Sequence, residues 1–313
     1  MTRRSSLSNW LLSVMLATAA IGLQLAIAQK EPAAPADGKA AGAKKDNGET
    51  KFIRLVRNDK GDVTAMQTAV VSYVPKDKSQ AGLQVDLVGA VHVADKAYYE
   101  QLNKLFEKYD VVCYELVAPE GTKIQKGETS SRHPIGALQN GMKDMLGLEH
   151  QLSCIDYNAK NFVHADMSPD EFSKTMADRG ETIWTMIFRA MGSGMAQQSN
   201  RGGNGPSEID ILMALFDHDR ADALKRVVAE QFEDMEGMSS AFNGPDGSAI
   251  LTERNKKALE VLKKEIDGGK KKIAIFYGAA HLPDMEKRLE KEFDLKRADE
   301  KWLTAWDIKP KQK

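Results

Sequence analysis

One short turn occurs twice in this chain, and it narrows the possible folds more than any other feature. Gly89-Ala90-Val91-His92-Val93-Ala94-Asp95 and Gly278-Ala279-Ala280-His281-Leu282-Pro283-Asp284 agree at Gly, Ala, His and Asp. Each copy closes a run of β-forming apolar residues and opens a stretch of helical spacing. Strand–turn–helix used twice suits an open α/β sheet, whose ligands bind outside the carboxyl ends of the strands. Glycine lets the backbone leave a strand sharply without a Cβ clash. The small residues after it keep the turn tight, so each imidazole is expected at the rim of the sheet.

The rest of the chain supports that fold class. Phe52–Arg57, Thr68–Val74 and Leu83–Val88 read as strands, with a turn at Lys60-Gly61-Asp62. From Asp95 the apolar residues Tyr98, Tyr99, Leu102, Leu105, Phe106 and Tyr109 fall on one helical face, and Asp110–Leu116 returns as a buried strand. Such a unit usually yields two parallel strands with the helix on one face. Leu152–Tyr157 is a further strand candidate. Ser168-Pro169-Asp170-Glu171 has the cap, proline and glutamate of a helix start. Helical spacing then runs through Trp184, Ile187, Phe188, Met191 and Met195, is broken by the polar run Gln197–Pro206, and resumes over Ser207–Phe216 and Arg220–Met235. Met-rich apolar faces of this kind are read as adaptable core packing. Residues 168–250 thus read as a helical insertion or cap over the sheet. A helix over Thr252–Ile266, a strand over Lys271–Tyr277, a helix opened by Pro283 and a strand over Trp302–Ile308 complete the pattern. Strands from both halves of the chain predict one α/β domain over residues 52–308, a central mixed sheet with flanking helices, and a short tail at 309–313.

The first 28 residues stand apart. Arg3 and Arg4 precede an uncharged run from Trp10 to Ala28, which closes on Ala26-Ile27-Ala28. This is the pattern of a cleavable export signal; an uncleaved membrane anchor is the alternative, since the run approaches the ~20 residues that span a bilayer. No cysteine follows to carry a lipid. Residues 29–51, rich in Ala, Gly, Pro and Lys, read as a flexible tether. The body of the protein is therefore expected in the periplasm or outside the cell. Lys+Arg of 44 against Asp+Glu of 45 leaves a net charge of -1, without the cationic excess of a nucleic-acid binder. Two cysteines are too few for a disulfide scaffold or a Cys-rich zinc module.

Chemistry concentrates at the strand ends. Glu115 closes the strand after the first helix, so His92, His281 and Glu115 form a candidate ligand set for a divalent metal ion with open positions for water. Such an ion would acidify water and polarise a carbonyl, enough for hydrolysis. Rim histidines bonded to backbone are the plainer alternative. Arg254 shares a four-residue stripe with Ala258, Leu262 and Ile266 that should face the protein. A guanidinium there needs a carboxylate such as Glu115, a substrate oxyanion, or a route to solvent.

Gly89-Ala90-Val91-His92, Tyr114-Glu115, Glu253-Arg254-Asn255 and Gly278-Ala279-Ala280-His281-Leu282-Pro283 occur in an order and spacing that resembles the TraB/PrgY/GumN family, which includes the Tiki proteins. The resemblance covers most of residues 83–308, the middle matching only in being helical. It implies a metal-dependent protease supported by manganese or cobalt, although zinc suits the same donors. PrgY-type members are linked to restraining a peptide pheromone, and more distant relatives include erythromycin-esterase-like and haem-binding ChaN-like proteins. The resemblance carries metal or catalytic roles to His92, Glu115 and His281, with Glu115 as ligand or general base. Arg254 carries over as a supporting position, and its guanidinium is read as the catalytic group that would steady substrate or oxyanion. Gly89, Gly278, Asn255 and Asp166 are supporting positions. The expectation is an exported metal-dependent peptidase with a peptide or protein substrate. A non-catalytic protein that sequesters a peptide or haem in the same cleft is the alternative.

Other polar residues carry less. Asn161–Asp166 reads as ordinary loop, with Asp166 a possible support, and Asp217-His218-Asp219 as a solvated turn. His133 and His150 have no supporting context. Cys113 and Cys154 suit buried strands as unpaired thiols.

Overall fold

A single long strand organises the sheet. The computed structural model describes residues 52–77, 80–124, 145–181, 213–214, 216–233 and 247–309. The expected export signal, the tether, the helix around Trp184–Met195, the run Gln197–Pro206 and His133 lie outside the described residues.

Strand β2 (Val63–Pro75) pairs antiparallel with β9 (Leu295–Asp307) along residues 65–75. Its other edge is shared end to end by β1 (Ile53–Arg57) and β3 (Gln84–Ala90), both antiparallel to it. Beyond β3 the sheet becomes parallel: β8 (Lys272–Gly278), β5 (Val111–Tyr114) and β7 (Phe162–His164) follow in that order. The seven strands draw on both halves of the chain, and the mixed α/β architecture is as the alternation of strand and helix patterns predicts. No helix among the described residues is long and apolar enough to cross a membrane.

The strand–helix–strand unit has the expected parts but not the expected neighbours. Helix α1 (Lys96–Phe106) connects β3 to β5, and its Tyr98, Tyr99, Leu102 and Phe106 are buried. The two strands are parallel, yet β8 lies between them. Ile273, Ala274, Ile275, Phe276 and Tyr277 of β8 are all wholly buried. A run of this kind belongs at the centre of a sheet covered on both faces, where it leaves no edge to water. Phe276 packs on Phe106 of α1, their rings 4.8 Å apart.

Two local expectations change. Leu152–Tyr157 is not a strand: β6 (Glu149–His150) makes a two-residue ladder with β4 (Val93–Ala94), and the chain coils into a short helix, α2 (Gln151–Cys154). The sheet edge beside β5 is already taken by β7, so this segment has no ladder to join. Conversely, Phe162–His164, expected as loop, is the strand that takes that edge. Helix α3 (Pro169–Asp178) starts on the expected capping box, Ser168 Oγ accepting from Glu171 N and Glu171 Oε2 accepting from Ser168 N at 2.7 Å. In α4 (Arg220–Glu233) Leu224 is buried and Val227 and Val228 pack on the core. Asp217 and His218 are exposed, as a solvated turn should be. A π turn (Ala249–Glu253) leads into α5 (Arg254–Asp267), and a 3-10 turn (Ala279–His281) into α6 (Leu282–Glu292). Cys113 and Cys154 are not bridged; both are thiols, and burial pushes that of Cys113 up to about 12.

Candidate functional site

Register brings the site residues together. Ala90 is level with Gly278, and Tyr114 with both Phe276 and His164. The carboxyl ends of β3, β8, β5 and β7 therefore lie side by side, and the residues just past them are His92, His281, Glu115 and Asp166. The backbone continues the ladder: Glu115 N–H donates to Phe276 O at 3.1 Å, and Ala165 N–H to Tyr114 O at 3.1 Å.

Arg254, at the start of α5, reaches two of these ends. Its Nη2 donates to Glu115 Oε1 at 2.6 Å and to Asp166 Oδ2 at 2.5 Å, while Nε donates to Asp166 Oδ1 at 2.9 Å. The planar fork of arginine makes such a grip, which the point charge of lysine does not. Nη1 has no acceptor among the described residues. The Ala258–Leu262 stripe does face the core, so of the three fates open to this guanidinium the structure realises the carboxylate pair. Burial works against the Arg254 charge, and Glu115 and Asp166 more than restore it. Arg179 donates to Glu253 Oε1 at 3.1 Å and to Gly247 O at 2.7 Å, and Ala249 N–H to Glu181 Oε2 at 2.9 Å. These contacts pin the π turn that delivers Arg254, and nothing in the sequence pattern pointed to them.

Glu115 is gripped from both sides. Its Oε2 accepts from Gly278 N–H at 2.6 Å. Burial alone would raise its carboxyl, but the His281 imidazole and the Arg254 guanidinium outweigh it and hold Glu115 well below the usual carboxylate range. A carboxylate so stabilised is a poor proton acceptor near neutral pH, which suits a ligand or charge-holding role better than general base.

Asn255 determines how His281 is presented. Its Nδ2 donates to His281 O at 3.1 Å and to Asp284 Oδ2 at 2.8 Å, which leaves Oδ1 facing His281 Nδ1 at 2.6 Å. An oxygen there accepts, so Nδ1 carries the hydrogen. In the neutral ring the bare nitrogen is then Nε2, which lies 3.5 Å from Glu115 Oε1. A lone pair facing a carboxylate oxygen is repelled unless a proton or another cation lies between. Ligand bonds of ~2.1 Å in a tetrahedral site give an edge of ~3.4 Å, and an orienting acceptor on the other ring nitrogen is usual for metal-bound histidine. The chemistry of these two donors fits a divalent ion.

The third expected ligand is placed differently. His92 follows β3 on the strand end next to β8, but its side chain is exposed whereas His281 is 4% exposed. Among the described residues no three His, Cys, Asp or Glu side chains are gathered as an ion site. The two copies of the turn diverge in their anchors. Asp95 takes Lys225 Nζ at 2.8 Å and Asp307 N–H at 2.6 Å, while Asp284 takes Asn255 Nδ2 and Arg288 Nε at 2.8 Å each. The first turn runs on into β4, tied to β6, and the second tightens into a 3-10 turn that draws His281 inward.

At Gly89 and Gly278 it is the space for a Cβ that is lacking. Neither adopts a positive φ; each marks a close approach instead. A Cβ on Gly89 would lie 3.2 Å from the carbonyl oxygen of Ala69, and one on Gly278 3.2 Å from Glu115 Oε2. Asp166, weighed above as ordinary loop, is 2% exposed and central to the ion network.

The wall beside the first turn contains two residues the sequence reading passed over. Gln151 N–H donates to His92 O at 2.9 Å, and Gln151 Nε2 to Tyr157 Oη at 2.8 Å. The Tyr157 ring packs edge-on against Tyr114, 5.1 Å away. Burial pushes the Tyr157 phenol far up, its bond to Gln151 works in the opposite direction, and the nearby charge of Glu115 adds to the rise. Comparison with protein-family models, curated proteins and solved structures finds no match to this chain.

Proposed function

We propose that this chain is an exported, metal-dependent hydrolase of the peptidase class, resembling the TraB/PrgY/GumN family. The observation that carries the reading is Nε2 of His281 facing Glu115 Oε1 at 3.5 Å, with Nδ1 of the same ring held by Asn255 Oδ1. His281, Glu115 and His92 would hold the ion, with manganese, cobalt and zinc all compatible with these donors. When bound, it supplies a Lewis acid that polarises a carbonyl and acidifies water. The chain's own groups do the rest. Asn255 holds His281 in one tautomer, and Gly278 N–H and Arg254 keep Glu115 ionised and oriented. Nη1 of Arg254, without an acceptor among the described residues, would be a donor for the oxygen of a carbonyl under attack.

The test is metal binding and turnover on the purified protein. Calorimetry with manganese, cobalt and zinc, and hydrolysis of quenched fluorescent peptides with and without chelator, should both depend on His281 and Glu115. Turnover unchanged in His92→Ala and His281→Ala, or untouched by chelator, removes the metal mechanism.

A second reading rests on the exposed His92 and on Glu115 having both oxygens already engaged. On that reading the cleft sequesters a peptide or haem without turnover. Stoichiometric binding by metal-loaded protein, with no product over hours, decides for it.

A further inference from the structure

We propose that Asp284 is a positioning residue for the site: its carboxylate fixes which way round the Asn255 amide lies, and so decides which nitrogen of His281 is offered to Glu115. This role rests on the reading of His281 as a metal ligand. Asn255 is fully buried, and a buried amide can lie in two orientations that exchange its oxygen and its NH2 group. In the observed one, Nδ2 donates to Asp284 Oδ2 at 2.8 Å and to His281 O at 3.1 Å, and Oδ1 faces His281 Nδ1 at 2.6 Å. Turned over, the amide oxygen would face a carboxylate and a carbonyl, neither of which has a hydrogen to give. Its NH2 group would face Nδ1, and the neutral ring would then carry its hydrogen on Nε2, pointing at Glu115 Oε1 in place of a lone pair.

Of the two acceptors that forbid the turned-over amide, Asp284 has the greater weight. Hydrogen bonds to an ionised group are about twice as strong as those between neutral groups. Arg288, one turn further along α6, donates from Nε to the same Asp284 Oδ2 at 2.8 Å and from Nη1 to Glu292 Oε1 at 3.0 Å. It thereby holds the Asp284 side chain where Asn255 meets it. The repeated turn places an Asp three residues after each His, but the first copy uses it otherwise. Asp95 takes Lys225 Nζ and the Asp307 N–H, and neither bond leads to the His92 ring. The same short motif therefore controls a ring in one copy and anchors backbone in the other.

The experiment reads the ring itself. Long-range proton–nitrogen NMR spectra of the full-length, metal-free protein distinguish the two neutral tautomers of histidine, and comparison with His281→Gln identifies the His281 signals. In wild type the neutral His281 ring should carry its hydrogen on Nδ1. Asp284→Leu removes the acceptor; it should shift the ring toward the Nε2–H form and weaken manganese binding about 10-fold by calorimetry. Asp284→Asn retains an acceptor oxygen; it should keep the Nδ1–H form and bind manganese within about threefold of wild type. If leucine prevents folding, Asp284→Ser, which draws the oxygen back by one bond, makes the same comparison. A purely structural Asp284 would lower the unfolding temperature of these variants and leave the tautomer alone. An Nδ1–H ring in folded Asp284→Leu or Asp284→Ser, or an Nε2–H ring in wild type, overturns the proposal. A tautomer that follows Asp284 in a protein that takes up no metal keeps the positioning role and removes the metal-dependent reading.

Discussion

His281 and Glu115 approach to 3.5 Å across the carboxyl ends of two neighbouring strands, with the imidazole turned so that Nε2 faces the carboxylate. Neither residue could hold that geometry alone. Asn255 sets the ring and Gly278 N–H sets the carboxylate, so the pair is pre-oriented before any ligand arrives. Pre-orientation by such outer contacts is what distinguishes a site from a surface ion pair.

Replacing Asn255 by leucine should therefore loosen the metal site without unfolding the protein. The expected effect is a loss of about 10–100-fold in affinity for manganese, read by calorimetry. An unchanged affinity would mean that the ring is not a ligand.

Arg254→Leu should be severely destabilising, because it leaves two buried carboxylates, Glu115 and Asp166, facing each other without the guanidinium. Breaking a buried pair of this kind costs about 3–5 kcal/mol, measurable by denaturant unfolding. Arg254→Lys should recover only part of it, since lysine cannot reproduce the fork. A Lys variant as stable as wild type would count against the bidentate grip.

The two glycines of the repeated turn should separate stability from activity. In Gly89→Ala the new methyl meets the rigid backbone oxygen of Ala69 at 3.2 Å, and about 1–3 kcal/mol of stability should be lost. In Gly278→Ala it meets the Glu115 carboxylate at the same distance, which displaces a side chain instead. That variant should keep most of its stability while metal affinity falls, a contrast read by parallel unfolding and calorimetry.

The α3 cap gives a pH-dependent contribution of known sign. The Ser168 backbone N–H, followed by Lys257, lowers the Glu171 carboxyl to about 2, against about 4.3 for a glutamate in an unfolded chain. The folded pKa is depressed, so the stabilisation is present in full above about 4.3 and is lost as pH falls toward about 2. Wild type should therefore exceed Glu171→Gln in stability at about pH 6, and the difference should close at about pH 2. A difference that persists at the acid end would assign the effect to packing.

Local pattern and tertiary structure divide this protein between them. Local pattern alone was enough for β1, β2, β3, β5, β8 and β9, the α3 cap, the inward stripe of Arg254 and the presence of two histidine turns at strand ends. Each depends on residues within a few positions of one another, so spacing and side-chain type suffice. It could not place β8 between β3 and β5, since neighbour order depends on which buried run is covered on both faces. For the same reason it misjudged Phe162–His164 and Leu152–Tyr157, whose fates turned on which segment reached the free edge beside β5. The two similar turns were separated by long-range packing, which buries His281 against Asn255 and leaves His92 exposed. Their short motifs are alike, but the partners differ and come from distant parts of the chain: Asn255 sets the His281 ring, while the β6 segment and Gln151 hold the backbone around His92.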